Sequence, residues 1–548
     1  MARDLETDME TLRTVLSLAQ NRDFVRAAEL AEQTLASGFE HPMLLNIAAT
    51  RLEQQGRYEQ ALQLLERAVA IAPKDVGARN ALGLCLQRLD RPAEALAHID
   101  ELLKQHADLP FAHASKGNAL IALGSLGRAQ QSHMRALELD PGNFTSAAAL
   151  ASIATHRGEH DEARRWAERA LKVAPGLPDA VLSLASADLA AGELDSAEKR
   201  LQYLIMDSRA GPSDRARATG LLADVLDAGR RYGEAFEAYE TCNQALRQIH
   251  RGYAAANILG YTRALTAAME KIDAGQWRTS LPAPGPQVSG SQGSDLQAAG
   301  HVFLIGFPRS GTTLLEVVLD GNPRVVSLEE HELLADGVLA FMREPVDLLP
   351  LARAEIQAVS ALRQAYWRRV RDAGADVAGK VFVDKHPLNS MKLPLIAKLF
   401  PQAKILFAVR DPRDVILSCF RRRFKMNPSM YELLTLPGAA AFYAAVMTFA
   451  DTARRALLLD WREVRYESLI AGFEREMRGV CEFIGLEWDA AMGEFAGRAA
   501  AREHATPSTA QLSQGLITTA TAQWRNYEPY IRPALPVLEP WMKRFNYS

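Results

Sequence analysis

Residues 301–316 read HVFLIGFPRSGTTLLE. An apolar run of strand length gives way to a tight polar turn, and the following LLEVVLDG reads as a helix. Strand, tight turn and helix N-terminus form a geometry that binds an anion, because backbone N–H groups and the helix dipole face it. Ser310, Thr312 and Thr313 add hydroxyl donors, Gly311 lets the backbone approach closely, and Arg309 offers a guanidinium fork. The turn lacks the lysine of a G-x-x-x-x-G-K-[ST] loop, and the Mg²⁺ ligands that a kinase or NTPase needs are not evident near it. An anion that requires no metal partner is expected. A second such place follows the apolar run KILFAV (404–409), which ends at Arg410. DPRDVILSCF then opens a helix with Pro412 in its first turn, so Arg410 and Ser418, two helical turns on, can converge on one anion. A third apolar run, KVFVD (380–384), ends at Lys385-His386-Pro387. Two anion sites at the carboxyl ends of parallel strands predict a ligand with two phosphate-like groups.

These runs predict an α/β domain over 301–548, a three-layer, P-loop-like fold around a parallel sheet. Residues 275–300 are rich in Gly, Pro and Ser and show no periodicity, so 273–300 reads as a linker. Before it, residues 1–272 carry a ladder. Gly56, Gly124, Gly158 and Gly192 stand on a 34-residue step, and Asp90 fills the missing rung. Five residues after each rung stands alanine: Ala61, Ala95, Ala129, Ala163 and Ala197. Pro73, Pro141 and Pro175 follow three of the rungs by 17 residues. A 34-residue period is that of the tetratricopeptide repeat, a helix–turn–helix unit that stacks into an all-α solenoid. Gly or Asp tolerates the left-handed turn between the helices, Ala permits their close packing, and Pro ends the second helix. Five clear repeats are expected over 24–209, and 214–248 reads as one more pair in a shifted register. The array either supports the next domain, mediates dimerisation, or offers a groove to a protein or peptide partner.

With 63 Lys+Arg against 66 Asp+Glu, the net charge of −3 favours neither nucleic acid nor an anionic membrane as the main partner. Cys85, Cys242, Cys419 and Cys481 are far apart and form no C-x-x-C pair, which argues against a disulfide framework or zinc site. An acidic N-terminal stretch without an apolar core, and no run of about 18 apolar residues, lead to the expectation of a cytoplasmic protein with no membrane span.

FLIGFPRSGTTLLE (303–316) resembles the 5′-phosphosulfate loop of sulfotransferases that use 3′-phosphoadenosine 5′-phosphosulfate (PAPS), and FAVRDPRDVILSCF (407–420) resembles their 3′-phosphate motif. The resemblance is strongest to the tyrosylprotein sulfotransferases and to bacterial proteins that fuse tetratricopeptide repeats to a sulfotransferase domain. It implies sulfuryl transfer from PAPS to a hydroxyl or phenol, a peptide tyrosine among them, with no metal. It also implies roles by position. Arg309, Ser310, Gly311, Thr312, Thr313, Arg410 and Ser418 would hold the donor, with Arg309 also acting in catalysis. Glu330, 21 residues after Arg309, would be the general base, with Glu329 as the adjacent alternative. Lys385 would stabilise charge on the transferring group. Tyr466 in WREVRYESL would lie near the nucleotide, and Ser508 in HATPSTAQL would face the active site. The chain departs from the family in three places. Glu332 stands where the family has arginine, His386 where it has an acid, and Gln523 where a Lys or Arg precedes the tryptophan. Arg525 is the expected substitute for the last. His386 is a second candidate base, because cytosolic aryl sulfotransferases use a histidine at the comparable strand end. The Glu329–Glu332 cluster can also be read as a solvated helix start, and Arg421–Arg423 with Lys425 either as a solvated helix end or as an attraction for an acidic acceptor such as an acidic peptide or glycan. The competing functions are a repeat scaffold with a degenerate nucleotide-binding domain, and a nucleotide kinase.

Overall fold

A computed structural model describes residues 5–21, 23–273, 275, 277, 298–343, 348–501, 512, 515–516 and 521–548. The ladder residues explain the repeat geometry. Gly56, Asp90, Gly124, Gly158 and Gly192 all have positive φ, between 54° and 77°. Each sits just past a helix end. The next N–H reaches back to the helix: Arg57 to Leu52 O, Arg91 to Leu86 O, Ser125 to Leu120 O and Glu159 to Ala154 O, each at 2.9 Å. That bond satisfies a carbonyl the helix leaves open and sends the chain back antiparallel. The ladder alanines are fully buried where the second helix of each pair meets the first. The array extends beyond the five repeats the period marks. Ala27 is equally buried, and so is Ala235, five residues after Arg230. Arg230 has φ 58° in the turn between helices Pro212–Ala228 and Tyr232–Ile249. The longer helix, 17 residues, displaces this last rung from the 34-residue step.

Packing divides the chain into two compact units, Met1–Ala190 and Ala191–Ser548. The first is made of the antiparallel helices from Leu5–Gln20 to Pro178–Ala190. The second begins inside the array, so division by packing and division by sequence pattern do not coincide. Its centre is a five-stranded sheet of β1 (Gly300–Ile305), β2 (Val325–Glu329), β3 (Val381–Lys385), β4 (Lys404–Val409) and β5 (Asp460–Arg465). The strands are parallel in the order β2-β3-β1-β4-β5. Alternation along each strand builds two cores. Val302, Leu304, Val381, Val383, Leu406 and Ala408 face one, with helices Thr312–Leu319 and Phe473–Ile484. Phe303, Ile305, Phe382, Ile405 and Phe407 face the other. That second core also contains Ala223, Leu226, Ala235, Tyr239, Leu265 and Met269, from the last repeat pair and helix Ile258–Glu270. The result is the expected three-layer arrangement, with repeat helices forming part of one layer. No described helix is long and apolar enough to cross a membrane, and all four cysteines are buried and unpaired.

Candidate active site

The strand order sets the site. Because β1 lies between β3 and β4, the turns after β2, β3, β1, β4 and β5 stand in a row along one sheet edge. They carry Glu330, Lys385–His386, Arg309–Thr313, Arg410 and Tyr466 in that order. The carboxyl edge of a parallel sheet, where the strand order reverses, is where such folds place ligands.

The β1 turn and the helix after β4 are bridged directly. Arg309 Nε donates to Ser418 Oγ at 3.0 Å, and Arg410 Nη1 donates to the Arg309 carbonyl at 3.2 Å. Arg309 has φ 69°, a left-handed conformation that a non-glycine residue holds only when its surroundings impose it. Ser310, Thr312 and Thr313 are buried. Gly311 caps the helix Thr312–Leu319 with φ 98°, and a Cβ there would fall 2.7 Å from the Tyr466 ring. The Arg410 guanidinium lies 4.9 Å from the centre of that same ring. Loop, Arg410, Ser418 and Tyr466 therefore form one cluster. Burial, followed by the positive charges of Arg422 and Arg410, pulls Arg309 down to about 9. Arg309 and Arg410, with the hydroxyls of Ser310, Thr312, Thr313 and Ser418, make a set of hydrogen-bond donors suited to an anion.

Lys385 anchors the other end of the row. It is fully buried, with Nζ 2.8 Å from Glu329 Oε1, 3.1 Å from Glu330 Oε1 and 3.4 Å from Glu316 Oε2. Burial works against its charge, but the three carboxylates outweigh it and hold its pKa above the ordinary lysine value. Ser327 Oγ donates to Glu316 Oε1 at 3.0 Å, which fixes that buried carboxylate. The solvated helix start is overturned. Residues 325–329 are β2, Glu329 is mostly buried, and Glu330 turns the chain at φ 54° while its N–H bonds the Lys385 carbonyl at 2.7 Å. Its side chain stays half exposed, at 50%.

Two of the departures meet. Glu332 Oε1 lies 3.3 Å from His386 Nε2, and Oε2 lies 2.7 Å from Lys392 Nζ. The bond to His386 and the charge of Lys392 hold Glu332 down at about 2. At the third departure, Gln523 Oε1 accepts from Arg421 Nη1 at 3.2 Å. The cation that meets Gln523 is thus Arg421. Arg525 stays exposed, its guanidinium 5.2 Å from the Trp524 ring centre. Ser508 lies outside the described residues.

Arg421–Arg423 is not a solvated helix end. Arg421 pairs with Asp227 at 2.6 Å and Arg423 pairs with Asp224, all four partly buried. Sequence reasoning missed Glu316, Asp224 and Asp227. Each acts through a partner distant in the chain, and only the position of Glu316 within the loop helix could have drawn attention to it. Among the described residues no group of three or more His, Cys, Asp or Glu is arranged to hold a metal ion.

Known protein families match both halves of the chain. A model described as "Sulfotransferase family" matches residues 301–490. Tetratricopeptide-repeat models match 52–117, 12–76, 114–178 and 182–242. A protein of Aquifex aeolicus (strain VF5), described as uncharacterized, is 23% identical over 483 residues, covering 81% of this chain and 56% of that protein. Protein-tyrosine sulfotransferase 1 of Danio rerio is 25% identical over 262 residues, 45% of this chain and 72% of that protein. Protein-tyrosine sulfotransferase A of Caenorhabditis elegans is 25% identical over 194 residues, 34% of this chain and 50% of that protein. The chain carries tetratricopeptide repeats joined to a sulfotransferase-family domain.

Proposed function

We propose that the C-terminal domain transfers a sulfuryl group from PAPS to a hydroxyl or phenol, and that the repeat array recruits the acceptor or a partner. The observation that carries this reading is the 3.0 Å bond between Arg309 and Ser418, which unites the two anion-binding turns in one cluster. Arg309, Ser310, Gly311, Thr312 and Thr313 would hold the phosphosulfate end of the donor. Arg410 and Ser418 would hold its 3′-phosphate, and Tyr466 would wall the nucleotide. PAPS supplies the sulfuryl group. Glu330, half exposed at the sheet edge, accepts the proton of the acceptor hydroxyl as that oxygen bonds to sulfur and the bond from sulfur to the phosphate oxygen breaks. Lys385, enclosed by three glutamates, acts here by orienting the Glu330 carboxylate rather than by touching the leaving group. The names of the protein-tyrosine sulfotransferase relatives make a tyrosine peptide the first acceptor class to test.

The test begins with PAP, the desulfated donor, in a thermal melt and a calorimetric titration. PAP should stabilise the wild type, and Arg410→Ala or Ser418→Ala should abolish that shift. If both variants keep it, the donor assignment is wrong. With labelled PAPS and a lysate as acceptor source, Glu330→Gln should lower turnover by about 10²–10⁴ while PAP affinity stays unchanged. A second base has its own support. His386 Nδ1 is buried with no hydrogen-bond partner among the described residues, while Nε2 rests on Glu332. Unchanged turnover in Glu330→Gln, with loss in His386→Gln, transfers the role to the histidine.

A further inference from the structure

The arginine turn that ends the Ser418 helix is built onto the last repeat pair. The helix Pro412–Phe420 stops at Phe420, whose carbonyl has no continuing helix to receive. Asn243 Nδ2, buried in the helix Tyr232–Ile249, donates to that carbonyl at 2.8 Å. The Phe420 ring stacks on Phe236 at 5.3 Å. Arg421 pairs with Asp227 at 2.6 Å, and its guanidinium lies 5.5 Å from the ring centres of both Tyr239 and Tyr527. Arg423 pairs with Asp224 and donates to the Gly220 carbonyl at 2.9 Å. Tyr239 Oη donates to Asp224 at 2.7 Å, and the Tyr527 hydroxyl donates to Asp227. Position 220 is glycine for a reason of space: a Cβ there would stand 2.5 Å from Arg423 Cδ. The two arginines that flank Arg422 are therefore gripped by one face of a repeat helix. Ser418, two residues before the end of the helix Pro412–Phe420, is the residue that accepts from Arg309 Nε at 3.0 Å.

We propose that Asp224 and Asp227 are positioning residues of the donor site: by clamping Arg421 and Arg423 they fix the end of the helix that presents Ser418 to Arg309. This rests on the donor reading above. It makes the last repeat pair a working part of the transferase domain. The clamp has the features of a rigid positioning device. Its ion pairs are shielded, both carboxylates accept further hydrogen bonds from tyrosines, and the helix carbonyl is satisfied by Asn243 of the paired helix. Neither aspartate need touch the donor.

The experiment is a calorimetric titration of PAP into the full chain and its variants. Asp227→Asn and Asp224→Asn should each weaken PAP binding, on the order of 10-fold. In transfer assays they should raise the KM for PAPS and leave kcat within about two-fold. Asp227→Glu, which keeps the charge, should restore most of the affinity and serves as the probe if the asparagine variant does not fold. Unchanged PAP affinity in both aspartate variants, with or without a lower melting temperature, would overturn the proposal and leave the donor site standing. Failure of the wild type to bind PAP would instead overturn the donor reading, and the positioning role with it.

Discussion

At the scale of single residues, Lys385 shows how a buried charge is made tolerable. Taken alone, an ammonium with no solvent contact costs far more than one hydrogen bond returns. Glu316, Glu329 and Glu330 surround it, so the cage is a single electrostatic object rather than three separate pairs. Lys385→Met should leave those carboxylates facing one another and destabilise the fold by about 3–5 kcal/mol. A urea titration of the variant beside the wild type measures this. A change below about 1 kcal/mol would mean that the glutamates are neutralised by other means. Only part of this was legible beforehand. The position of Lys385 at a strand end and the Glu329–Glu330 pair are visible in the chain. Glu316 is not, because its apolar neighbours make it look like a stray charge on a helix.

At the scale of elements, the repeat turns and the sheet make different demands. Each repeat turn requires one left-handed residue, and Asp90 holds that conformation where glycine serves in neighbouring repeats. Asp90→Gly should raise stability by roughly 0.5–1 kcal/mol, seen as a higher melting temperature. A drop would show that the aspartate side chain does something beyond turning the chain. In the sheet layer, His301 of β1 is enclosed by the rings of Phe303, Tyr366, Trp367, Phe382 and Phe400, with centroids 4.5–5.6 Å away. Its Nε2 lies 2.8 Å from Tyr366 Oη, which donates to Asp384 at 2.9 Å. Burial pulls His301 down to about 3 and pushes Asp384 up to about 6. The signs oppose each other. A histidine whose folded pKa lies below its unfolded value contributes stability that is present above about pH 6.5 and is lost as pH falls from there toward 3. The raised aspartate acts in reverse and over a narrower window, gaining stability as pH falls from about 6 to 4. Between about pH 6 and 4 the two contributions nearly cancel, so the wild-type melting temperature should change little there, and His301→Phe, which leaves the aspartate unopposed, should make it rise on acidification from pH 6 to 5. An identical acid slope in the variant would remove His301 from the account.

At the scale of the whole molecule, the last repeat helices and the sheet share one apolar core. Ala223, Leu226, Tyr239, Leu265 and Met269 belong to the same cluster as Phe303, Ile305 and Phe407. A fragment spanning 301–548 should therefore expose an apolar face and fail to melt cooperatively, whereas 191–548 should melt cooperatively and be stabilised by PAP. Light scattering and a PAP-dependent melt distinguish the two. A soluble, PAP-binding 301–548 fragment would show that the helices from 212 to 272 are dispensable. The sequence alone determined whatever depends on neighbours along the chain. The 34-residue ladder, the left-handed turns, the loop from Arg309 to Thr313 and the eight-residue spacing of Arg410 and Ser418 are local patterns, written by backbone sterics and helix periodicity. The tertiary structure decided what depends on distant partners. It placed β1 between β3 and β4, closed three glutamates on Lys385, paired Glu332 with His386, and turned an apparently solvated basic run into a clamp nearly 200 residues from its aspartates. The reason is physical. A turn is chosen by its own few residues, whereas the sign and strength of a charge's interactions depend on which groups the fold removes from water beside it.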